Sequence, residues 1–589
     1  MNRTPAAPGS GSYAANNSIS LLYPPSAAPP TGRGALDEGD LGLAPIVRAL
    51  DVDGRHGRFV AGVLAELNDD PRVIAYRQDV LGDLLRLPQL AAAIGAALPQ
   101  LAELAKIGRA PRWGERVPLL DVAARLAELD SYAGCVEQLG AALDERPAEN
   151  KEQRTKNKEQ RSDEQRTTDH GPRTSEGLLA LRERLAAARA DPAYCALAAE
   201  LPALRAQLDR AGSVTLGINL DAQLRPESAT VISVNAERFA GKGTLLERLF
   251  GERVAAEAIR GITALYTADD GRPHTHEHAL FRDMSRLLEK VVQPVAAAIE
   301  RYARLSSAWL VGLEPQLAFY LGAARLATDL RAAGLPLCRP QIAPAAERSC
   351  TIEASYSLEL ALRLRAAQGD ASLAATIVHN DVHLGPGARI AIVTGPNSGG
   401  KTTYTRAIGQ AQALFQAGLH IPGRAARISP ADAIFTHFAA GERAELGRGR
   451  LAQELEWLAA IFRRAGPHSL LLLNEPLAST DQASGRALGR DLLAGLRLLG
   501  ARTVFVTHLY QLVEDALALD AGEAEPLIVS LVAGAAAHDG NGAEPAPTYR
   551  IAPGQPRPPG YAAELARQYG LDAAQIAKLL RERGVVRDE

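Results

Sequence analysis

The apolar positions of this chain change their period along its length. From Leu36 to Leu143, Leu and Ala recur on repeating faces, as in Val73, Tyr76, Val80, Leu81 and Leu84. That spacing predicts helices. Helical patterning returns over Ser175–Leu208 and Phe281–Ala333. Between them lie two β-like islands, Ser213–Asn219 and Ala229–Asn235. Beyond Thr351, short unbroken apolar runs take over, such as Ile390–Val393, Leu470–Leu473 and Thr503–Val506. A strand covered by helices on both faces reads this way. The pattern therefore predicts a mainly parallel α/β domain over Thr351–Gly534, a loop over His538–Pro547 and a helical element over Ala562–Arg583.

Two stretches have no such pattern. Met1–Arg33 is rich in Pro, Ala and Ser, which cannot build a core, and it predicts a disordered tail. Asn150-Lys151-Glu152-Gln153-Arg154 recurs as Asn157-Lys158-Glu159-Gln160-Arg161 with no apolar residue. It predicts a solvated insert, its glutamates largely cancelling its arginines. The expected layout is a tail over 1–34, helical core over 35–148, charged insert over 149–176, helical core and lever with a short β segment over 177–350, an α/β domain over 351–560, and a helical C-terminal element over 561–589.

Composition narrows the function classes. Apolar residues make up 47% of the chain and aromatics 5%, so its core is mostly Ala, Leu and Val. The net charge of −3, from 65 basic and 68 acidic residues, gives no overall pull toward nucleic acid. Any DNA contact must come from local patches, for which Arg109, Arg112 and Arg116 are candidates. The four cysteines form no C-x-x-C pair, against a zinc site or a disulfide framework. No apolar run reaches the roughly 18 residues of a membrane span, and the N-terminus does not read as a secretory signal. A cytoplasmic protein without a membrane partner is expected.

The chemistry is concentrated after the run Ile390–Val393. Gly395-Pro396-Asn397-Ser398-Gly399-Gly400-Lys401-Thr402 fills every fixed position of G-x-x-x-x-G-K-[ST], with a predicted strand before it and, from Thr403, a helix after it. Glycines let such a loop curl tightly and turn its N–H groups toward phosphate oxygens. The helix N-terminus adds partial positive charge. Lys401 can reach the β- and γ-phosphates, and the Thr402 hydroxyl can hold Mg²⁺. The loop thus implies a nucleoside triphosphate. Leu470–Leu473 ends in Asn474-Glu475, and Glu475 is placed to orient or deprotonate an attacking water. Thr503–Thr507 ends in His508, which can donate to the γ-phosphate or its water.

In this order, these residues resemble the ATPase domain of the MutS family of DNA mismatch repair proteins. Gly395-Pro396-Asn397 with Gly399-Gly400-Lys401 is similar to that family's phosphate loop. So are His420–Pro422, Arg427–Thr436, Tyr549–Gly554 and Gly560–Leu571 to the segments that follow it. Asn380-Asp381 resembles the family's approach to the nucleotide base, and Arg77-Gln78-Asp79 a pattern of its helical core. The resemblance covers Thr376–Leu571 closely and Leu41–Pro344 more loosely. It implies a multidomain chain: an α-helical core, lever and clamp region, then an α/β P-loop ATPase domain of the ABC type, then a helical C-terminal element that helps pair two subunits. It also implies ATP with Mg²⁺, a homodimer and a DNA partner.

Three departures qualify that. Asn474 stands where the family has an Asp that helps hold the Mg²⁺ shell, which implies weaker metal binding and slow hydrolysis. The family's signature loop offers a serine across the dimer; here Gly447-Arg448-Gly449-Arg450 leads to Glu454, with Gly449 and Arg450 replacing hydroxyl residues. Arg448 or Arg450 could then supply charge in trans, or simply begin a solvated helix. Members that read mismatches carry an N-terminal domain with a Phe-x-Glu wedge; this chain enters the helical core almost at once, and Phe250-Gly251-Glu252 lies mid-chain in a helix-like segment. The expectation is a MutS-like DNA-binding ATPase without the mismatch-reading domain, acting in mismatch repair or recombination-related DNA transactions. The alternative is a slow, nucleotide-switched interaction protein that binds little DNA. A wider ABC or SMC type is disfavoured by the lack of an L-S-G-G-Q-like signature and of long heptad arms.

Overall fold

Strands Ile390–Thr394, Leu470–Asn474 and Arg502–Val506 are buried at every position, and that burial is what their unbroken apolar runs require. The computed structural model describes residues 19–27, 36–107, 118–144, 174–209, 213–220, 222–223, 226–235, 237, 293, 295–396, 398–438, 450–521, 527–535, 547–555, 569–583 and 585. Residues 149–173 of the charged insert, Phe250–Glu252, the basic candidates Arg109, Arg112 and Arg116, and Gly447–Gly449 lie outside the described residues.

The chain forms two compact units. One comprises Ala96–Arg146 and Leu181–Glu314. It contains helices Pro118–Asp144 and Pro192–Asp209 and an antiparallel hairpin of β1 (Ser213–Leu220) and β2 (Pro226–Asn235). The two β-like islands are thus partners of each other, with a register shift near each end.

The other unit comprises Met1–Gly95, Pro147–Ala180 and Pro315–Glu589. Its short strands β3 (Leu337–Cys338) and β4 (Gln341–Ile342) precede β5 (Cys350–Ser355) and β6 (Asn380–Leu384). Next come β7 (Ile390–Thr394), β8 (Ile421–Pro422), β9 (Ala425–Ile428) and β10 (Ile434–Phe438). The chain closes with β11 (Leu470–Asn474), β12 (Arg502–Val506), β13 (Ile528–Ala535) and β14 (Pro547–Pro553). The main sheet has the order β10-β11-β12-β7-β13-β14, parallel except for β14. The parallel domain predicted over Thr351–Gly534 therefore needs a correction at its start. β5 pairs antiparallel with both β6 and β9, in a separate sheet ordered β4-β9-β5-β6.

The main sheet is covered on both faces. Leu471, Leu473, Ile390, Ile392 and Phe505 pack with Leu458 and Ile461 of helix Arg450–Arg464, Leu493 and Leu496 of helix Gln482–Leu499, and Leu512 and Val513 of helix Tyr510–Leu519. Leu472 lies toward helix Lys401–Gln416, at Gly409, where any Cβ would collide with Leu472 and Leu41.

The N-terminal residues join this unit instead of standing apart from it. Helix Glu38–Leu41 docks on helix Lys401–Gln416: Arg406 Nε donates to Asp40 O at 2.8 Å, and Gln410 Nε2 to Leu41 O at 2.8 Å. Thr436 Oγ1 donates to Asp40 Oδ2 at 2.7 Å. Residues 19–27 also depart from the predicted tail. Leu21 and Leu22 are buried, Leu21 N donates to Gln316 Oε1 at 2.7 Å, and Tyr320 Oη to Leu21 O at 2.9 Å. A two-leucine anchor is too short to register in composition, yet it buries enough to fix a short segment.

Candidate functional site

The phosphate loop grows out of β7. Gly395 has φ +132°, and a Cβ there would lie 2.7 Å from Ala533 Cβ and 2.9 Å from Ala533 O. Only glycine fits between this turn and β13. Ser398 (φ +63°) and Gly400 (φ +90°) are both left-handed, so the backbone curls just before helix Lys401–Gln416 begins. Alternation of this kind builds an anion-binding concavity at a helix N-terminus. Gly399 N donates to Pro396 O at 3.2 Å and closes the curl. Asn397 lies outside the described residues.

Lys401 is 5% exposed, and its Nζ donates to Gly395 O at 2.8 Å and Pro396 O at 2.9 Å. Burial lowers its pKa, and the neighbouring Glu475 carboxylate works against that shift. Thr402 Oγ1 donates to Asn474 Oδ1 at 3.1 Å, joining the first turn of the helix to the end of β11. Thr403 follows, half-buried, in the same turn.

Sheet register brings the remaining candidates to one edge. Val506 pairs with both Val393 and Asn474, so β7, β11 and β12 end side by side. Glu475 lies one step beyond β11, half-buried, its N–H donating to Val506 O at 3.0 Å. Its φ of +54° is unusual for a non-glycine residue, as is the +70° of Leu477. Such conformations cost on the order of 1–3 kcal/mol each and persist only where surrounding contacts enforce them. His508 lies two residues beyond β12 and is exposed. Lys401, Thr402, Asn474, Glu475 and His508 thus come from separate segments to the carboxyl edge of one sheet, where α/β folds place ligands.

Asn380 behaves differently. Its Nδ2 donates to Tyr549 O at 3.0 Å, and its Oδ1 accepts from Ile551 N at 2.7 Å. Both arms of the amide therefore bind the β14 backbone. What that anchoring presents is Tyr549, which the sequence pattern does not single out. Tyr549 has φ +56°, is 47% exposed, and lies against Gly400, where an added Cβ would meet its Cδ1 at 3.4 Å. The available signal is one aromatic in an otherwise polar stretch, Thr548-Tyr549-Arg550.

Of the signature stretch, helix Arg450–Arg464 is described from its first residue, and Glu454 is half-buried within it. The donor set fits a magnesium–nucleotide complex: a curled glycine loop at a helix N-terminus, a buried lysine, and a hydroxyl and amide oxygen already paired.

The family model "MutS domain V" matches residues 391–535, which span the phosphate loop, Glu475 and His508. The "MutS2 N-terminal domain" model matches residues 165–333. The chain is 31% identical over 303 residues to the protein named Endonuclease MutS2 of Thermomicrobium roseum, covering 50% of this chain and 34% of that protein. It is 29% identical over 365 residues to the DNA mismatch repair protein MutS of Granulibacter bethesdensis, covering 56% and 36% respectively. A shorter match, 37% over 140 residues, is to the DNA mismatch repair protein MutS 2 of Halobacterium salinarum, covering 24% of this chain and 16% of that protein. The chain thus spans about a third or less of the length of these relatives.

Proposed function

The chain belongs to the MutS family, and from that premise we propose that it is a Mg²⁺-dependent ATPase working as a homodimer on DNA, in mismatch repair or recombination-related transactions. The observation that carries this reading is the shared edge of β7, β11 and β12, which gathers the phosphate loop, the Thr402–Asn474 pair and Glu475. The phosphate loop, Gly395 to Thr403, holds the phosphates, and Lys401 exchanges its contacts with Gly395 and Pro396 for phosphate oxygens. Thr402 and Asn474 would hold the metal, the Asn474 amide oxygen as an acceptor for its shell. When bound, Mg²⁺ neutralises charge on the phosphates. Glu475 orients the attacking water, and His508 donates a hydrogen bond at the γ-phosphate side. Tyr549, raised by Asn380, offers a stacking face for the base. DNA enters through coupling: ATP favours one dimer geometry, and that geometry holds DNA differently.

One observation favours a second reading, a slow nucleotide switch that organises protein partners. Asn474 offers the metal shell an uncharged oxygen, so turnover is slow even if binding is retained. Measuring ATP hydrolysis with homoduplex, mismatched and four-way-junction DNA, against a Lys401→Ala blank, separates the two. Stimulation by one DNA is the expected result and names the substrate class. ATP binding without any DNA response would replace the first reading with the second.

A further inference from the structure

One carboxylate on helix Arg450–Arg464 grips three points outside its own helix. Glu454 Oε1 accepts from Leu477 N at 2.7 Å and lies 2.8 Å from His437 Nε2, and Oε2 accepts from Ser479 Oγ at 2.7 Å. The side chain is 11% exposed. Burial pushes its pKa upward, but the bonds from His437, Ser479 and Leu477 outweigh that and leave it below the usual carboxylate range. His437, on β10, is held in turn by the Trp457 ring, with centroids 5.1 Å apart.

The gripped segment is the turn that begins at Glu475. Glu475 and Leu477 are both left-handed, and between them Pro476 has no N–H to donate. Within the turn, Ala478 N reaches Glu475 O at 3.3 Å and Thr480 N reaches Leu477 O at 3.4 Å. The shorter tethers come from outside it: Val506 O on the strand side, at 3.0 Å, and Glu454 on the helix side. The conformation that presents Glu475 therefore depends on a side chain that belongs neither to the phosphate loop nor to β11.

We propose that Glu454 is a positioning residue for hydrolysis, fixing the Glu475–Thr480 turn so that the Glu475 carboxylate faces the phosphate loop. This rests on the ATPase reading of Glu475. Glu454 acts through the turn, so its loss changes the chemical step and leaves nucleotide binding in place.

The test combines kinetics with hydrogen exchange at the Leu477 amide. In Glu454→Ala, kcat should fall roughly tenfold or more, as displaced catalytic groups do, with KM and nucleotide affinity within about twofold. The Leu477 amide should exchange faster. In Glu454→Gln, the amide oxygen still accepts from Leu477 and the amide nitrogen can donate to Ser479, so most of kcat should return. An unchanged kcat, unchanged exchange at Leu477, or loss of nucleotide affinity in step with kcat overturns the proposal. If Glu454→Ala does not fold, Ser479→Ala removes one of the three bonds; a lower kcat at constant KM supports the inference, and an unchanged kcat sinks it. Wild-type hydrolysis no faster than Lys401→Ala would defeat the ATPase reading itself. The Leu477 exchange comparison would then still decide whether Glu454 holds the turn.

Discussion

Asn474 and His420 each carry a prediction. Replacing Asn474 by Asp puts a charge where Thr402 Oγ1 now meets an amide oxygen. Charged acceptors bind more strongly, and an advantage of roughly 1 kcal/mol is about fivefold. Asn474→Asp should therefore lower the Mg²⁺ concentration for half-maximal hydrolysis about fivefold and raise turnover. Turnover that falls or stays level, measured in a magnesium titration, would overturn the role proposed for the missing charge. His420 contributes to acid stability. Its Nδ1 faces Arg331 Nη2 at 2.9 Å, and burial, with Arg331 and Arg339 adding to it, lowers its pKa from 6.5 to about 4. The unfolded chain binds this proton below pH 6.5 and the folded chain does so only near pH 4. Stability is therefore lost as pH falls through that window. The loss is at most about 3 kcal/mol, reduced by the ring's partial exposure. His420→Asn should bring urea midpoints at pH 7 and pH 5 closer together than in the wild type.

Among the elements, helix Pro71–Arg86 shows what the sequence pattern reveals and what it hides. Its apolar spacing and its start, an Asp70 cap accepting from Arg72 N followed by Pro71, are legible without a structure. The burial of its polar residues is not. Arg77 donates to Leu22 O at 2.9 Å, to Glu66 Oε1 at 2.9 Å and to Gln416 O at 3.4 Å, and lies over the Tyr23 ring. Gln78 Nε2 reaches Pro340 O, and Arg339 reaches Asp79. Leu22 and Gln416 are distant in sequence and Glu66 precedes the helix, so no periodicity could announce them. Arg77→Met should cost about 3–5 kcal/mol, since it removes the cation paired with Glu66 and a donor to two carbonyls, and should lower the thermal midpoint sharply. Arg72→Ala, on the exposed side, should leave that midpoint nearly in place. The same contrast holds at the nucleotide site. The phosphate loop was legible because its spacing is fixed by chemistry. Glu475 and His508 were legible because each ends an apolar strand. Glu454 and Tyr549 lay in segments the sequence picked out, but the roles proposed for them did not show there, since they come from a contact across the chain and a left-handed turn.

For the whole molecule, the C-terminal helix and the strand order matter most. Helix Ala573–Glu582 has no buried residue, and Ile576 and Leu579, one turn apart, are exposed together with Leu571 and Val585. No single helix among the described residues is long and apolar enough to cross a membrane. If the homodimer proposed above forms through this face, Ile576→Glu with Leu579→Glu should leave the melting curve unchanged and move sedimentation to the monomer. An unchanged sedimentation coefficient would place dimerisation elsewhere. The strand order bears on how the protein is made. β7 carries the phosphate loop and lies in mid-sheet, yet its partners β12 and β13 begin only at Arg502 and Ile528. During translation the unpaired N–H and C=O groups of β7, and its apolar faces, must wait for a long stretch of chain to leave the ribosome, the interval in which unpaired strands aggregate. Synthesis stalled before Val506 would release a nascent chain in need of a chaperone, with a nucleotide loop already spelled out and no sheet to hold it.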